Sequence, residues 1–207
     1  MPLHKTPRFL RALYPGLTWH KRTDKKEVFL TFDDGPIPEL TPFVLDTLNK
    51  YDVKATFFCV GDNLRKHGDI AQRAVEEGHI LANHTYNHLN GWKTNNLHYA
   101  SNIEECATYL KPFSSNKMLF RPPYGMIKRS QIKEICQNYE IVMWDVLTWD
   151  FSSKMTPEIC LKNSLKATSD GSIILFHDNV KAEKNLNYTL PRYIDELLSQ
   201  GFLFNTL

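Results

Sequence analysis

From residue 28 to its end the chain repeats a short apolar run, a polar turn, and then apolar positions at helical spacing. The apolar runs fall at residues 28–32, 55–60, 80–82, 118–120, 141–144, 172–176 and 202–204. They are short, and most are rich in β-branched and aromatic residues, which predicts seven buried strands. A helix is predicted to open at Thr41-Pro42, with a capping hydroxyl and Pro at the first helical position. Further helices are predicted over 69–78, 95–110, 130–138, 156–168 and 189–200. Gly78 and Gly201 stand where a helix end favours glycine.

Strands alternating with helices run parallel in an α/β fold. Buried parallel strands read as unbroken apolar runs, as in Ser172-Ile173-Ile174-Leu175-Phe176. An open doubly wound sheet and a closed barrel share this rhythm, and the polar residues separate them. Asp33-Asp34 follow the first strand, His84 the third, Arg121 the fourth, Asp145 and Asp150 the fifth, and His177-Asp178 the sixth. In a barrel the C-terminal strand ends meet at one mouth, where catalysis sits. An open sheet would string them along an edge. The expectation is a barrel, and 207 residues against ~250 for an eight-fold barrel favours seven strands.

Composition changes little. Hydrophobic residues make up 42% and charged residues 23%, globular values that exclude disorder, coiled coil and collagen-like structure. A net charge of +2 with no basic run gives no case for nucleic acid. Cys59, Cys106, Cys136 and Cys160 show no CxxC spacing and read as buried free thiols. The N-terminal residues lack the apolar core of a secretory signal. No run approaches the ~18 residues of a membrane span. The expectation is a chain without a cleaved signal, cytoplasmic in preference to envelope-associated. The expected division is a basic-aromatic lead-in (1–26) before a main domain (27–207), with no room expected for a further binding module or a membrane anchor.

Five segments carry chemistry. Thr31-Phe32-Asp33-Asp34-Gly35-Pro36 ends a buried strand in two like charges, which repel unless a cation is shared. His84-Thr85-Tyr86-Asn87-His88 spaces two imidazoles four apart, on one face of a helix or turn. With a strand-end Asp they make two imidazoles and a carboxylate. Such a set suits a catalytic zinc site with an open position and equally a non-haem iron triad. Arg121-Pro122-Pro123-Tyr124-Gly125 sets a strand-end Arg where it can hold a carboxylate ionised. Ile173-Ile174-Leu175-Phe176-His177-Asp178 ends an apolar strand in an imidazole able to titrate near neutrality. Trp149 and Phe151, beside Asp150, are rim aromatics on which a ligand could pack.

Taken in order, TFDDGP, HTYNH, RPPYG and LFHD resemble the NodB-homology polysaccharide deacetylases, carbohydrate esterase family four, from about residue 28 to the end. The resemblance implies a distorted (β/α)7 or (β/α)8 barrel. It implies Asp33 as general base, Asp34, His84 and His88 as metal ligands, and Arg121 holding Asp33. It also implies an oxyanion contact from the Tyr124 backbone N–H, His177 as general acid oriented by Asp150, and an acetyl pocket lined by Leu175 and a rim aromatic such as Trp149 or Phe151. The metal is expected to be zinc, with Co²⁺ or Ni²⁺ suiting the same ligands. The family's fourth motif is usually Asp-x-x-Asp-Trp, whereas Leu147-Thr148-Trp149-Asp150-Phe151 has Leu for the first Asp and Phe for the Trp. Asp145, two residues earlier, could compensate.

The expected activity is metal-dependent removal of acetyl groups from N-acetylated amino sugars: chitooligosaccharide, peptidoglycan or a related glycan. The alternatives are an inactive glycan-binding barrel, which needs a missing base or ligand, and an O-acetyl ester (xylan-type) esterase. An iron oxygenase leaves Asp33, Arg121 and His177 without a task. The expected partner is the acetylated glycan, with no oligomeric state readable.

Overall fold

The computed structural model describes residues 2–113 and 118–207. Met1, first residue of the expected lead-in, lies outside them. Strand β1 (Glu27–Asp33) is buried at every position but the first. Val28, Leu30 and Phe32 face outward, into a core shared with α2 (Thr41–Lys50) and α8 (Glu183–Ser199). Phe29 faces the other way, onto Phe58, Ala82, Leu119, Val142 and Ile173. Those residues come from successive positions around the sheet and mark the barrel interior. Each buried side chain of this size stabilises the fold by roughly 1.5–3 kcal/mol. The two-residue period of a strand then carries Thr31 and Asp33 up the inner face above Phe29, and Leu175 and His177 above Ile173.

The other strands are β2 (Thr56–Cys59), β3 (Ile80–Asn83), β4 (Leu119–Phe120), β5 (Glu140–Ile141), β6 (Val146–Leu147), β7 (Ile173–His177) and β8 (Leu203–Phe204). Their order is β5-β4-β3-β2-β1-β7-β6, all parallel, with β8 beside the start of β1. This seven-strand path is the distorted (β/α)7 barrel that was expected. Its curl makes the strand ends converge without full closure.

Of the expected run at 141–144 only Ile141 is in a strand, the end of β5; β6, not expected, follows at Val146–Leu147 with no helix between. Residues 142 and 143 pair instead with the N-terminal segment: Thr18 bridges Val142, and the Thr18 carbonyl accepts from the Met143 N–H at 2.7 Å. Lys5 bridges Val146 and His20 bridges Ser172. The lead-in therefore fills the seam between the two edge strands. Asp145 secures it, accepting from Lys5 Nζ and Ser172 Oγ, each at 2.6 Å, and pairing with Arg11. Fully buried there, Asp145 does not compensate for Leu147 at the mouth.

Short helices α1 (Arg8–Leu13) and α3 (Gly61–Lys66), six residues each, are too short to show a period and were not expected. The remaining helices are α4 (Gly68–Glu76), α5 (Asn96–Leu110), α6 (Arg129–Ile135) and α7 (Pro157–Ala167). The side chains of Asn95 and Thr156 cap α5 and α7. Helix α8 starts earlier than residue 189 and carries Pro191 inside. Thr41 is itself the first helical residue of α2; its hydroxyl donates to Asp178 Oδ2 at 2.6 Å rather than capping the helix. All four cysteines are free thiols, and Cys136, expected buried, is exposed because the helix it follows ends at Ile135.

Candidate active site

Asp33 is 3% exposed and Arg121 wholly buried. Arg121 Nη1 donates to Asp33 Oδ1 at 2.7 Å and to Thr31 Oγ1 at 2.8 Å. Its Nη2 donates to the Met143 carbonyl at 2.9 Å and its Nε to that of Val142 at 3.2 Å. The guanidinium also lies over the Phe58 ring, 4.0 Å from its centroid. Only a planar fork serves all of these partners at once. Asp33 Oδ2 is left toward the mouth, 3.7 Å from His84 Nε2.

Asp34 turns away from Asp33 at φ 90°. Asn179 donates to its Oδ2, and Asn63 Nδ2 donates to its carbonyl at 2.7 Å. Asp34 Oδ1 is buried with no hydrogen bond, yet lies 3.6 Å from His84 Nε2 and 3.1 Å from His88 Nε2. The His88 contact is close enough for a hydrogen bond but lacks the angles of one, so the atoms converge on a shared point instead. The ligand atoms of Asp34, His84 and His88 all lie within 4.8 Å of one another. His84 Nδ1 sits 2.8 Å from the Arg121 carbonyl, which can only accept, so its Nε2 is bare. Burial lowers the His84 imidazole to about 4, keeping it neutral. Burial would raise the Asp34 carboxyl, but His88, His177 and His84 outweigh it and hold Asp34 well below the usual carboxylate range. An orphaned carboxylate oxygen facing two imidazole nitrogens fits a divalent cation.

The two histidines are not on a helix. Thr85 (φ 62°) and His88 (φ 55°) turn the chain so that the rings come 5.0 Å apart. A β-branched residue at positive φ is costly. Thr85 is held there because its N–H donates to Asn83 Oδ1 at 2.9 Å and its Oγ1 accepts from the Leu89 N–H at 3.0 Å. Of six non-glycine residues at positive φ in the described chain, Asp34, Thr85, His88, Tyr124 and Trp149 belong to or flank this site; only Asp52 does not. Strain is concentrated at the mouth.

On β7, beside the Asp33 strand, His177 Nδ1 lies 2.8 Å from Asp150 Oδ1, and Asp150 Oδ2 accepts from the His177 N–H at 2.7 Å. Burial would lower His177, but the Asp150 charge and hydrogen bond, helped by Asp34 and Asp33, raise it to about 9. Phe151 packs edge-on against His177, 4.8 Å between centroids, and Trp149 lies against Phe151.

These groups face one cavity of about 770 Å³. Asp33, Asp34, His84, His88, Tyr124, Trp149, Phe151, Leu175 and His177 line it; Arg121 and Asp150 act from behind. Sequence reasoning missed Trp144, Leu147, Asn63 and Asn179 in the wall. Asn179 could have been flagged by its place beside His177-Asp178. Asn63 sits on unforeseen α3 and carried no signal.

The polysaccharide deacetylase family model matches residues 20–143. The chain belongs to that family. A peptidoglycan-N-acetylglucosamine deacetylase of Bacillus cereus is 38% identical over 187 residues, covering 89% of this chain and 68% of its own. A second from the same organism is 30% identical, covering 92% of this chain and 91% of its own. A crystal structure of a peptidoglycan N-acetylglucosamine deacetylase, in complex with an N-hydroxybenzamide, superposes with TM-score 0.89 at 36% identity, covering 98% of this chain and 95% of that one. Members of the family depend on a metal, and no described helix is long and apolar enough to cross a membrane.

Proposed function

We propose that this deacetylase removes the N-acetyl group from amino sugars of a glycan, with peptidoglycan N-acetylglucosamine as the first candidate, and uses zinc. One observation carries the reading: Arg121-held Asp33 and Asp150-held His177 face the Asp34–His84–His88 triad across a single cavity. The names of the relatives support the substrate class. A bound divalent cation supplies positive charge that polarises a carbonyl and acidifies water.

An N-acetyl amide is a poor electrophile with a poor leaving group, so both ends of the reaction need help. Asp33 takes the proton of the attacking water, and Arg121 keeps that carboxylate ionised and aimed. The Tyr124 backbone N–H meets the developing oxyanion. His177 gives its proton to the departing amine, and Asp150 holds the imidazolium that must first exist. Leu175, with Trp149 or Phe151, receives the acetyl methyl.

The test is acetate release from N-acetylglucosamine oligomers, peptidoglycan and acetylated xylan, with and without chelator and with each of Zn²⁺, Co²⁺ and Ni²⁺. Release from the amino-sugar substrates that chelator abolishes is expected. Release from xylan alone, or tight glycan binding without turnover in the zinc-loaded protein, overturns the reading.

A further inference from the structure

A second cavity, of about 570 Å³, opens beside the first and shares Tyr124 and Trp144 as a common wall. Its far side is built by the N-terminal segment that fills the barrel seam, through Phe9, Tyr14 and Trp19, and its rim by Trp92. Five of the exposed large apolar residues line it: Leu3, Phe9, Leu13, Trp92 and Tyr124. Such concentration on one face marks an interaction site.

Trp92 is 58% exposed yet fixed. Its Nε1 donates to the Ile127 carbonyl at 3.0 Å, and the Asn90 side chain accepts from its backbone N–H at 3.0 Å. Beneath it, Gln131 Nε2 donates to the Gly91 carbonyl at 3.0 Å, and a Cβ on Gly91 would stand 2.4 Å from the Met126 carbonyl oxygen. The backbone beneath Trp92 is therefore closely packed. An exposed indole locked in one orientation is a preformed stacking platform, which binds at little entropic cost.

The occupant follows from continuity and from chemistry. The shared wall makes the groove an extension of the catalytic cavity, so whatever is held with its acetyl group at the triad continues into it. The lining is aromatic and aliphatic in about equal parts and carries one cation, Lys5, already paired with Asp145. Flat aromatic faces without free charge suit the neutral faces of pyranose rings. We infer that this groove holds the saccharide units that flank the deacetylated residue, with Trp92 as their platform. The inference rests on the proposed glycan deacetylation and adds a chain-length requirement to it.

The test compares acetate release from the N-acetylglucosamine dimer and hexamer by the zinc-loaded protein and by Trp92→Ala, Trp92→Phe and Phe9→Ala. Trp92→Ala is expected to lower kcat/KM for the hexamer about ten-fold, to change the dimer by less than about two-fold, and to be largely rescued by Trp92→Phe. Phe9→Ala, on the opposite wall, is expected to act in the same direction. Equal loss on both substrates, or none on the hexamer, overturns the inference. Should no oligomer release acetate from the wild type, the functional reading falls. Hexamer binding, followed by tryptophan fluorescence, then decides the groove, and unchanged affinity in Phe9→Ala and Trp92→Ala overturns it. Cosedimentation with anionic phospholipid vesicles that Phe9→Ala abolishes, without any chain-length effect, assigns the groove to a lipid surface and overturns it too.

Discussion

Asp33 and Arg121 form a buried ion pair, Nη1 to Oδ1 at 2.7 Å, in which the cation comes from the end of β4 and the carboxylate from the end of β1. The pair spans the barrel interior, and the remaining Arg121 donors close on Thr31, Val142 and Met143. One residue thus ties the Asp33 carboxylate to the chain beyond β5. Arg121→Met is expected to cost about 3–5 kcal/mol, the penalty of leaving a buried charge unpaired, read as a lowered denaturant midpoint. Asp33→Asn keeps the shape and removes the proposed base. It is expected to fold and to lose about 10²–10⁴-fold in kcat. Full activity in that variant would refute Asp33 as the base.

His177 is raised to about 9, above its ordinary value of 6.5. Its proton therefore favours the fold: the stabilisation is complete below about 6.5 and is lost as pH rises through about 9. In its proposed role as general acid, His177 is also expected to impose an alkaline limb on kcat/KM. A bound cation offsets the Asp34 and Asp33 contributions, so in the loaded enzyme that limb falls below 9. Asp150→Asn removes the largest raising influence and is expected to move the limb toward acid by about one to two pH units. A pH–rate profile unmoved by that change would show that another group sets the limb.

The orphaned Asp34 Oδ1 makes cation binding a stability matter. Zinc at 100 times its Kd is expected to stabilise the wild type by about 2.7 kcal/mol, seen as a raised Tm. Asp34→Ala should abolish that response while leaving the metal-free protein folded. A zinc-induced rise in Tm that survives Asp34→Ala, His84→Ala and His88→Ala would place the ion elsewhere.

Gly35 follows the two aspartates and packs on buried Asp178. Its N–H donates to Asp178 Oδ1 at 2.9 Å, and an added Cβ would stand 1.9 Å from Oδ2. Burial, aided by the Asp34 charge, raises Asp178 to about 7 despite hydrogen bonds from Thr41 and Gly35. Because this carboxyl is raised, its contribution is fullest below about 3.8 and is lost as pH rises through about 7. Gly35→Ala is expected to cost about 1–3 kcal/mol and to weaken zinc binding, measured by chelator competition, because Asp34 moves with the turn. Unchanged zinc affinity would uncouple the turn from the ligand.

Asp145 holds the N-terminal segment through Lys5 and Arg11. Asp145→Ala leaves two cations beside a buried seam and is expected to cost about 3–5 kcal/mol. Lys5→Ala should cost less, since Lys5 is 41% exposed. Equal effects in thermal melts would argue against Asp145 as the anchor.

Order along the chain was enough for the strands other than β6, their parallel sense and the four motifs, because buried strands need unbroken apolar runs and polar groups of a site collect where those runs end. Each of Asp33, Asp34, His84, His88, Arg121, Asp150 and His177 was visible as a polar residue at such an end. Only the tertiary structure decided how they meet. His84 and His88 converge through positive-φ turns at Thr85 and His88, not through a helical period. The seam is filled by a segment more than a hundred residues away in the chain, and Asp145 serves that seam rather than the mouth. These outcomes depend on long-range pairing and on backbone strain that surrounding contacts hold in place. Neither leaves a periodic trace in the sequence, whereas burial does.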